Sequence, residues 1–191
     1  MTPFELNEAL KGMVCLVDTR EQDTPSLRAR LRSIGAPVER RKLDFGDYSA
    51  RFDLPGGGAF SLADKVCIER KMNLDELCQC FFQSRARFKR EFERAKAAGG
   101  RIYLLVEGGS WEDIYAGKYR SHASSASLVA SLLAFLARYD CKLIFCNALT
   151  TGRLIHDILY REGKERMEAL NDGDGRQEES NPAGEEAPQV P

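Results

Sequence analysis

The sequence is poor in the residues from which metal cages and membrane anchors are usually made. It has only two histidines, His122 and His156, far apart in the chain, which argues against a histidine-built zinc or triad site. No apolar run approaches the ~20 residues of a membrane span. Met1 to Lys11 mixes charged with apolar residues and lacks the hydrophobic stretch of a signal peptide, so a cytoplasmic protein is expected. There are six cysteines, but no two separated CxxC pairs. Cys78-x-Cys80 is a lone pair, and others lie in apolar runs such as Val14-Cys15-Leu16, where a thiol acts as a small hydrophobe. Reduced thiols in a reducing compartment are expected.

Charge of one sign is also missing overall: the formal net charge is -1. That balance conceals an asymmetry. Met167 to Pro191 holds one base and seven acids, so the remainder is mildly basic. From Asn171 onward the chain is rich in Gly, Pro, Glu, Gln and Asn, with almost nothing to bury. The expected organisation is one domain over 1–170 and a disordered acidic tail over 171–191. Hydrophobic residues at 43% and charged residues at 30% suit a soluble globular body.

Met13 to Val17 is a short apolar run ending at Asp18 and predicts a buried strand. Thr24-Pro25 predicts a helix start and Gly35 its end. Val38 to Leu43 and Tyr48 to Phe52 are extended segments, Pro55 to Gly58 is a hairpin tip, and Phe60 to Lys71 contains the next strand. Leu74, Leu77, Phe81, Phe88, Phe92 and Ala95 mark a long amphipathic helix, or a pair, over Asn73 to Ala98. Strand Ile102–Val106, a short helix capped by Ser110, helix Ser124–Tyr139, strand Lys142–Cys146 and a helix from Thr151 to about Leu170 follow. Strands alternating with helices predict an α/β fold, a mixed sheet with helices on both faces.

Asp18, Glu21, Asp47 and Glu69 stand at or beside the ends of apolar strand runs. Gathered at one end of a sheet they would repel one another, and a hard divalent cation would relieve the repulsion. In Glu69-Arg70-Lys71 the period of two puts Glu69 and Lys71 on one face and Arg70 on the other. A carboxylate that can hold magnesium, beside an ammonium that can orient water or steady a phosphate, suits phosphodiester hydrolysis. Asp47 lies on the preceding strand, so a hairpin would bring it to Glu69. By spacing alone these positions fit either a catalytic cluster or ordinary strand-end acids.

A resemblance bears on that choice. Val17-Asp18-Thr19-Arg20-Glu21 resembles the V-D-x-R-E opening of the XPF-type nuclease domain. Gly46-Asp47, followed by Glu69-Arg70-Lys71 and Asp75, is similar to that family's G-D…E-R-K-x-x-x-D signature. Arg101 to Gly108 resembles its strand that ends in an acid and a glycine. The resemblance implies a restriction-endonuclease-like fold and Mg2+- or Mn2+-dependent endonucleolytic cleavage of branched, flapped or forked DNA, in repair or recombination. It implies that Asp18, Asp47 and Glu69 hold metal and that Lys71 serves the attacking water or the phosphate. Glu21, Arg70 and Asp75 would complete or brace the site; Asp75, at a helix start, fits an ordinary cap contact equally. Many relatives carry tandem helix-hairpin-helix modules after the nuclease domain; Thr151 to Leu170 shows no paired hairpin glycines, so that stretch is not expected to supply one. A DNA-binding module without catalysis, and an exonuclease or restriction-like enzyme of the same superfold, are the alternatives.

Arg20, Arg85, Arg87, Lys118 and Arg120 are the expected DNA contacts, since phosphate contacts dominate such affinity. Arg28, Arg30 and Arg32 look like a solvated helix face. His122 as a general base is unneeded if Lys71 and metal act. A homodimer through the apolar helix Ser124–Tyr139, a stripe that equally suits a core, or a DNA-targeting partner protein is the expected association.

Overall fold

The computed structural model describes the backbone of residues 1–178 and side chains through Asn171. Seven strands form one mixed sheet: β1 (Met13–Val17), β2 (Val38–Arg40), β3 (Tyr48–Asp53), β4 (Ala59–Ser61), β5 (Val66–Lys71), β6 (Arg101–Glu107) and β7 (Cys141–Cys146). Their order is β2-β1-β3-β5-β6-β7, with β4 paired to β3. β1 lies parallel to β2 and antiparallel to β3, whereas β5, β6 and β7 run parallel. β3 meets β5 antiparallel at Tyr48 and Ile68, which sets Asp47 beside the end of β5.

The helices are α1 (Pro3–Lys11), α2 (Pro25–Ile34), α3 (Leu74–Cys78), α4 (Arg85–Ala97), α5 (Trp111–Tyr115), α6 (Ser125–Arg138) and α7 (Thr151–Glu178). Parallel neighbours need crossovers, and helices supply them on either side of β6. Because strand side chains alternate, the sheet carries a separate core on each face. Leu16, Cys67, Leu104 and Val106 face α3, α4 and α6, where Phe81, Phe88, Phe92 and Phe135 pack with ring centroids 4.8 to 5.7 Å apart. Cys15, Tyr48, Ile68 and Leu105 face α1, α2 and α7, against Leu10, Leu27, Ile34, Ile155 and Leu159. The mixed sheet with helices on both faces is as expected.

Several boundaries differ from the sequence reading. β2 ends at Arg40: Arg41 N–H gives the last ladder bond to the Val17 carbonyl, and Leu43, buried, gives its N–H to the Asp18 carboxylate. The Phe60–Lys71 stretch divides between β4 and β5. Of the two readings of Asn73–Ala98 the pair of helices holds: a single π-helical turn, Gln79–Gln83, separates α3 from α4. α1 was not anticipated, although Thr2 and Glu5 form a capping box that announces it. α7 runs past Leu170 to Glu178; the rest of the expected tail, 179–191, lies outside the described residues. The apolar stripe of α6, offered as a dimer surface, turns Leu128, Leu132 and Phe135 into the core and leaves Leu133 exposed. All six cysteines are free thiols. Among the described residues no helix is long and apolar enough to cross a membrane.

Candidate active site

A cleft of about 490 Å3 opens where β3 and β5 meet beneath the start of α2 and the side of α4. Its geometry begins with Gly46. The left-handed φ of 72° is one that glycine adopts without strain. A Cβ there would lie 2.6 Å from that of Cys67. This close approach lets Asp47 join two segments, β5 and the end of β1, through three hydrogen bonds. Asp47 N–H donates to the Ile68 carbonyl at 2.7 Å, and its own carbonyl accepts from Asp18 N–H at 2.8 Å. Asp47 Oδ2 accepts from the backbone N–H of Arg70 at 2.8 Å.

Glu69 and Lys71 project to the same side of β5, each nearly buried, and Lys71 Nζ donates to Glu69 Oε1. Glu76 Oε1 lies 3.9 Å from the ammonium, and the Phe88 ring centroid lies 5.3 Å away. Burial opposes charge on Lys71, but Glu69 and Asp47 outweigh it and hold the ammonium protonated above the ordinary lysine range. Asp47 shifts the opposite way from a paired carboxylate. Its burial, then the negative charges of Glu69 and Glu21, push it well above the usual carboxyl range despite Lys71. Glu91, on α4, is raised likewise by burial and by Glu69, against the pull of Lys71, Arg20 and Arg94.

Arg70 points to the other face, as alternation requires, and there forks onto Glu107 with two hydrogen bonds of 2.9 Å. The Arg70 fork and neighbouring Arg30 overcome burial to keep Glu107 below its ordinary range. Glu21 accepts from the Tyr48 hydroxyl at 3.0 Å and faces the cleft.

Of the expected residues, Arg20, Glu21, Asp47, Glu69, Arg70, Lys71 and Arg87 line this cleft, while Asp18, Asp75, Arg85, Lys118 and Arg120 do not. Asp18 is 1% exposed, and its oxygens are occupied. Oδ1 takes Arg20 N–H and Nε at 2.7 and 2.6 Å; Oδ2 takes Leu43 N–H and Arg20 Nη2 at 2.7 and 3.1 Å. These contacts outweigh burial and hold its carboxyl below the usual range. Asp18 thus braces Arg20 and the Leu43 turn. Asp75 is not the cap of α3, which is Asn73, and pairs instead with Arg120 N–H and Nε at 2.6 and 2.9 Å. Glu76 is the acid of that turn that lines the cleft. Arg85 reaches across to Ser131 Oγ on α6 at 3.2 Å, and Lys118 pairs with Asp113 at 3.0 Å. His122 is exposed and lines no part of the cleft.

Three charged cleft residues escaped the sequence reading: Arg30, Glu76 and Glu91. Arg30 is 7% exposed, contrary to the solvated face expected of Arg28, Arg30 and Arg32. The signal was present: Arg30 shares the stripe of Leu27 and Ile34, three and four residues away. Among the described residues no three His, Cys, Asp or Glu side chains converge into a ready-made metal cage.

Comparison with known proteins places residues 17–158 in the ERCC4 domain family. No curated protein matches the chain. Among solved structures, XPF from Aeropyrum pernix aligns at 23% identity with a TM-score of 0.56, covering 83% of this chain and 69% of that one. A structure of the same protein described as a complex with DNA aligns at 23% identity with a TM-score of 0.55, covering 80% and 66%. At that identity the likeness concerns the fold.

Proposed function

Because this chain belongs to the ERCC4 domain family, we propose that it is a divalent-metal-dependent DNA endonuclease whose reacting centre is the cleft of Asp47, Glu69 and Lys71. The observation that carries this reading is the buried Lys71 ammonium held on Glu69 beside a carboxylate, Asp47, that is disfavoured as an anion. A structural ion pair needs no second acid next to it. A site for a cation and a phosphate does.

The residues fit magnesium or manganese. Such ions are commonly held by one or two carboxylates, with water and substrate phosphate completing the shell. Asp47 and Glu69 are those two; Asp18, already saturated with hydrogen bonds, serves as a brace rather than the third ligand. A bound dication would supply charge to the scissile phosphate and acidify water. Lys71 keeps Glu69 aligned and presents a permanent positive charge at the cleft wall. Arg20 and Arg87, both exposed at the rim, hold flanking phosphates. Arg70 fixes Asp47 through its backbone N–H and is itself fixed by Glu107.

Branched, flapped or forked DNA is the proposed substrate, and a second copy or a partner protein supplies the grip on the duplex arms. The test is cleavage of flap, fork and linear duplexes with Mg2+ or Mn2+ and with a chelator. Metal-dependent internal cuts near the branch are expected. Binding without cutting would identify a non-catalytic module, and digestion only from ends would identify an exonuclease.

A further inference from the structure

The guanidinium of Arg30 is the most deeply buried positive charge on the α2 side of the cleft, and the roles proposed above leave it unused. Its Nε donates to the Tyr48 hydroxyl at 2.9 Å, and that hydroxyl donates onward to Glu21 at 3.0 Å. Its Nη2 lies 3.5 Å from the same Glu21 oxygen, and its Nη1 lies 3.8 Å from Glu107. The backbone beneath it is held by close packing. A Cβ on Gly152 of α7 would come within 2.5 Å of the Arg30 carbonyl oxygen.

A buried guanidinium is tolerated only where carboxylates and hydrogen bonds compensate it. Here both compensating acids lead to Asp47. Glu21 lines the same cleft as Asp47. Glu107 grips Arg70, whose N–H holds Asp47 Oδ2. We propose that Arg30 is a positioning residue for phosphodiester cleavage, fixing Glu21 and the Glu107–Arg70 fork so that Asp47 is held at the reacting centre. This rests on the nuclease reading above. Arginine suits the task because its planar fork addresses Tyr48, Glu21 and Glu107 together, which a lysine ammonium does not.

The test compares Arg30→Gln, Arg30→Lys, Glu21→Gln, Tyr48→Phe and the double variant Arg30→Gln/Glu21→Gln in single-turnover cleavage with saturating Mn2+ and DNA, alongside DNA affinity and melting temperature. Arg30→Gln should slow cleavage at least about tenfold, as misplacement of reacting groups does, while DNA affinity stays within about threefold. Arg30→Lys should not rescue the rate. Because Arg30 also acts through Glu107, the double variant should be slower than Glu21→Gln but should lose less than the product of the two single losses. If Arg30→Gln fails to fold, Tyr48→Phe, which removes one oxygen, should still slow cleavage several-fold. Wild-type rates in Arg30→Gln or Tyr48→Phe, or additive losses in the double variant, would overturn the proposal while leaving the nuclease reading intact. A wild-type protein that does not cut would overturn both.

Discussion

Asp47 and Arg70 are joined by a side-chain-to-backbone hydrogen bond of 2.8 Å, so that one carboxylate oxygen of the former is fixed by the strand that carries Glu69 and Lys71. The same carboxylate is raised in pKa by burial and by Glu69 and Glu21. It therefore binds a proton more readily folded than unfolded. The stability that this group contributes is complete below the unfolded carboxyl pKa and is lost as pH rises through the folded one. Asp18, Glu107 and Glu162 have lowered values. Their stabilisation is complete above the ordinary carboxyl range, so they do not mask the trend between about pH 5 and pH 8.

Asp47→Asn should consequently melt higher than wild type at about pH 8 without metal, by a few degrees, and lose the melting-temperature increase that Mn2+ gives wild type. Its cleavage rate should fall at least about a hundredfold. Thermal melts at several pH values, with and without Mn2+, check this. Equal melting curves for both proteins would refute the proposed electrostatic strain.

Lys71 and Glu69 are each nearly buried and compensate one another. Removing one partner leaves an uncompensated charge. Lys71→Met should destabilise by about 3–5 kcal/mol, roughly 10 °C in melting temperature. Lys71→Met with Glu69→Gln should recover much of that loss while staying inactive. Denaturant titration of both single variants and the double reads this directly.

Arg85 and Arg87 are neighbours in sequence but serve different surfaces. Arg87→Ala should weaken DNA binding and reduce the slope of log affinity against log salt by about one. Arg85→Ala should leave that slope unchanged. Binding isotherms across a salt series distinguish them.

Asp75 hydrogen-bonds Arg120 and does not line the cleft. Asp75→Ala and Arg120→Ala should produce the same defect, and the double variant should be no worse than either. Glu76→Ala, by contrast, removes an acceptor of Met72 N–H beside Lys71 and should lower the cleavage rate independently. Additive losses for Asp75 and Arg120 would show that Asp75 works at the cleft itself.

Much of this arrangement was legible in the chain because it depends on local periodicity. Alternation along β5 places Glu69 and Lys71 together and Arg70 opposite, and the short separation of β3 from β5 brings Asp47 alongside. Asp18 was not legible as a brace. Its fate depends on Leu43, 25 residues away, arriving with a free N–H, and on Arg20 curling back two residues. Arg30 was misjudged, and Glu91 missed, for a different reason. Each sits among charged neighbours that reach solvent, but each falls on its helix's apolar stripe, Glu91 three residues after Phe88 and four before Ala95. Helical period, not local charge density, was the informative signal.

The end of β5 is anchored in both cores at once, through Lys71 on the aromatic side and Arg70 on the side of α2 and α7. The cleft is therefore a joint between two independently packed halves, and its jaws keep their spacing only while both are sound. Inactivating changes should arise far from the scissile bond in either half, among phenylalanines that never meet DNA as readily as along the α2–α7 contact. Such mutants would fold, bind nucleic acid and fail to cut, like shears with a loosened rivet.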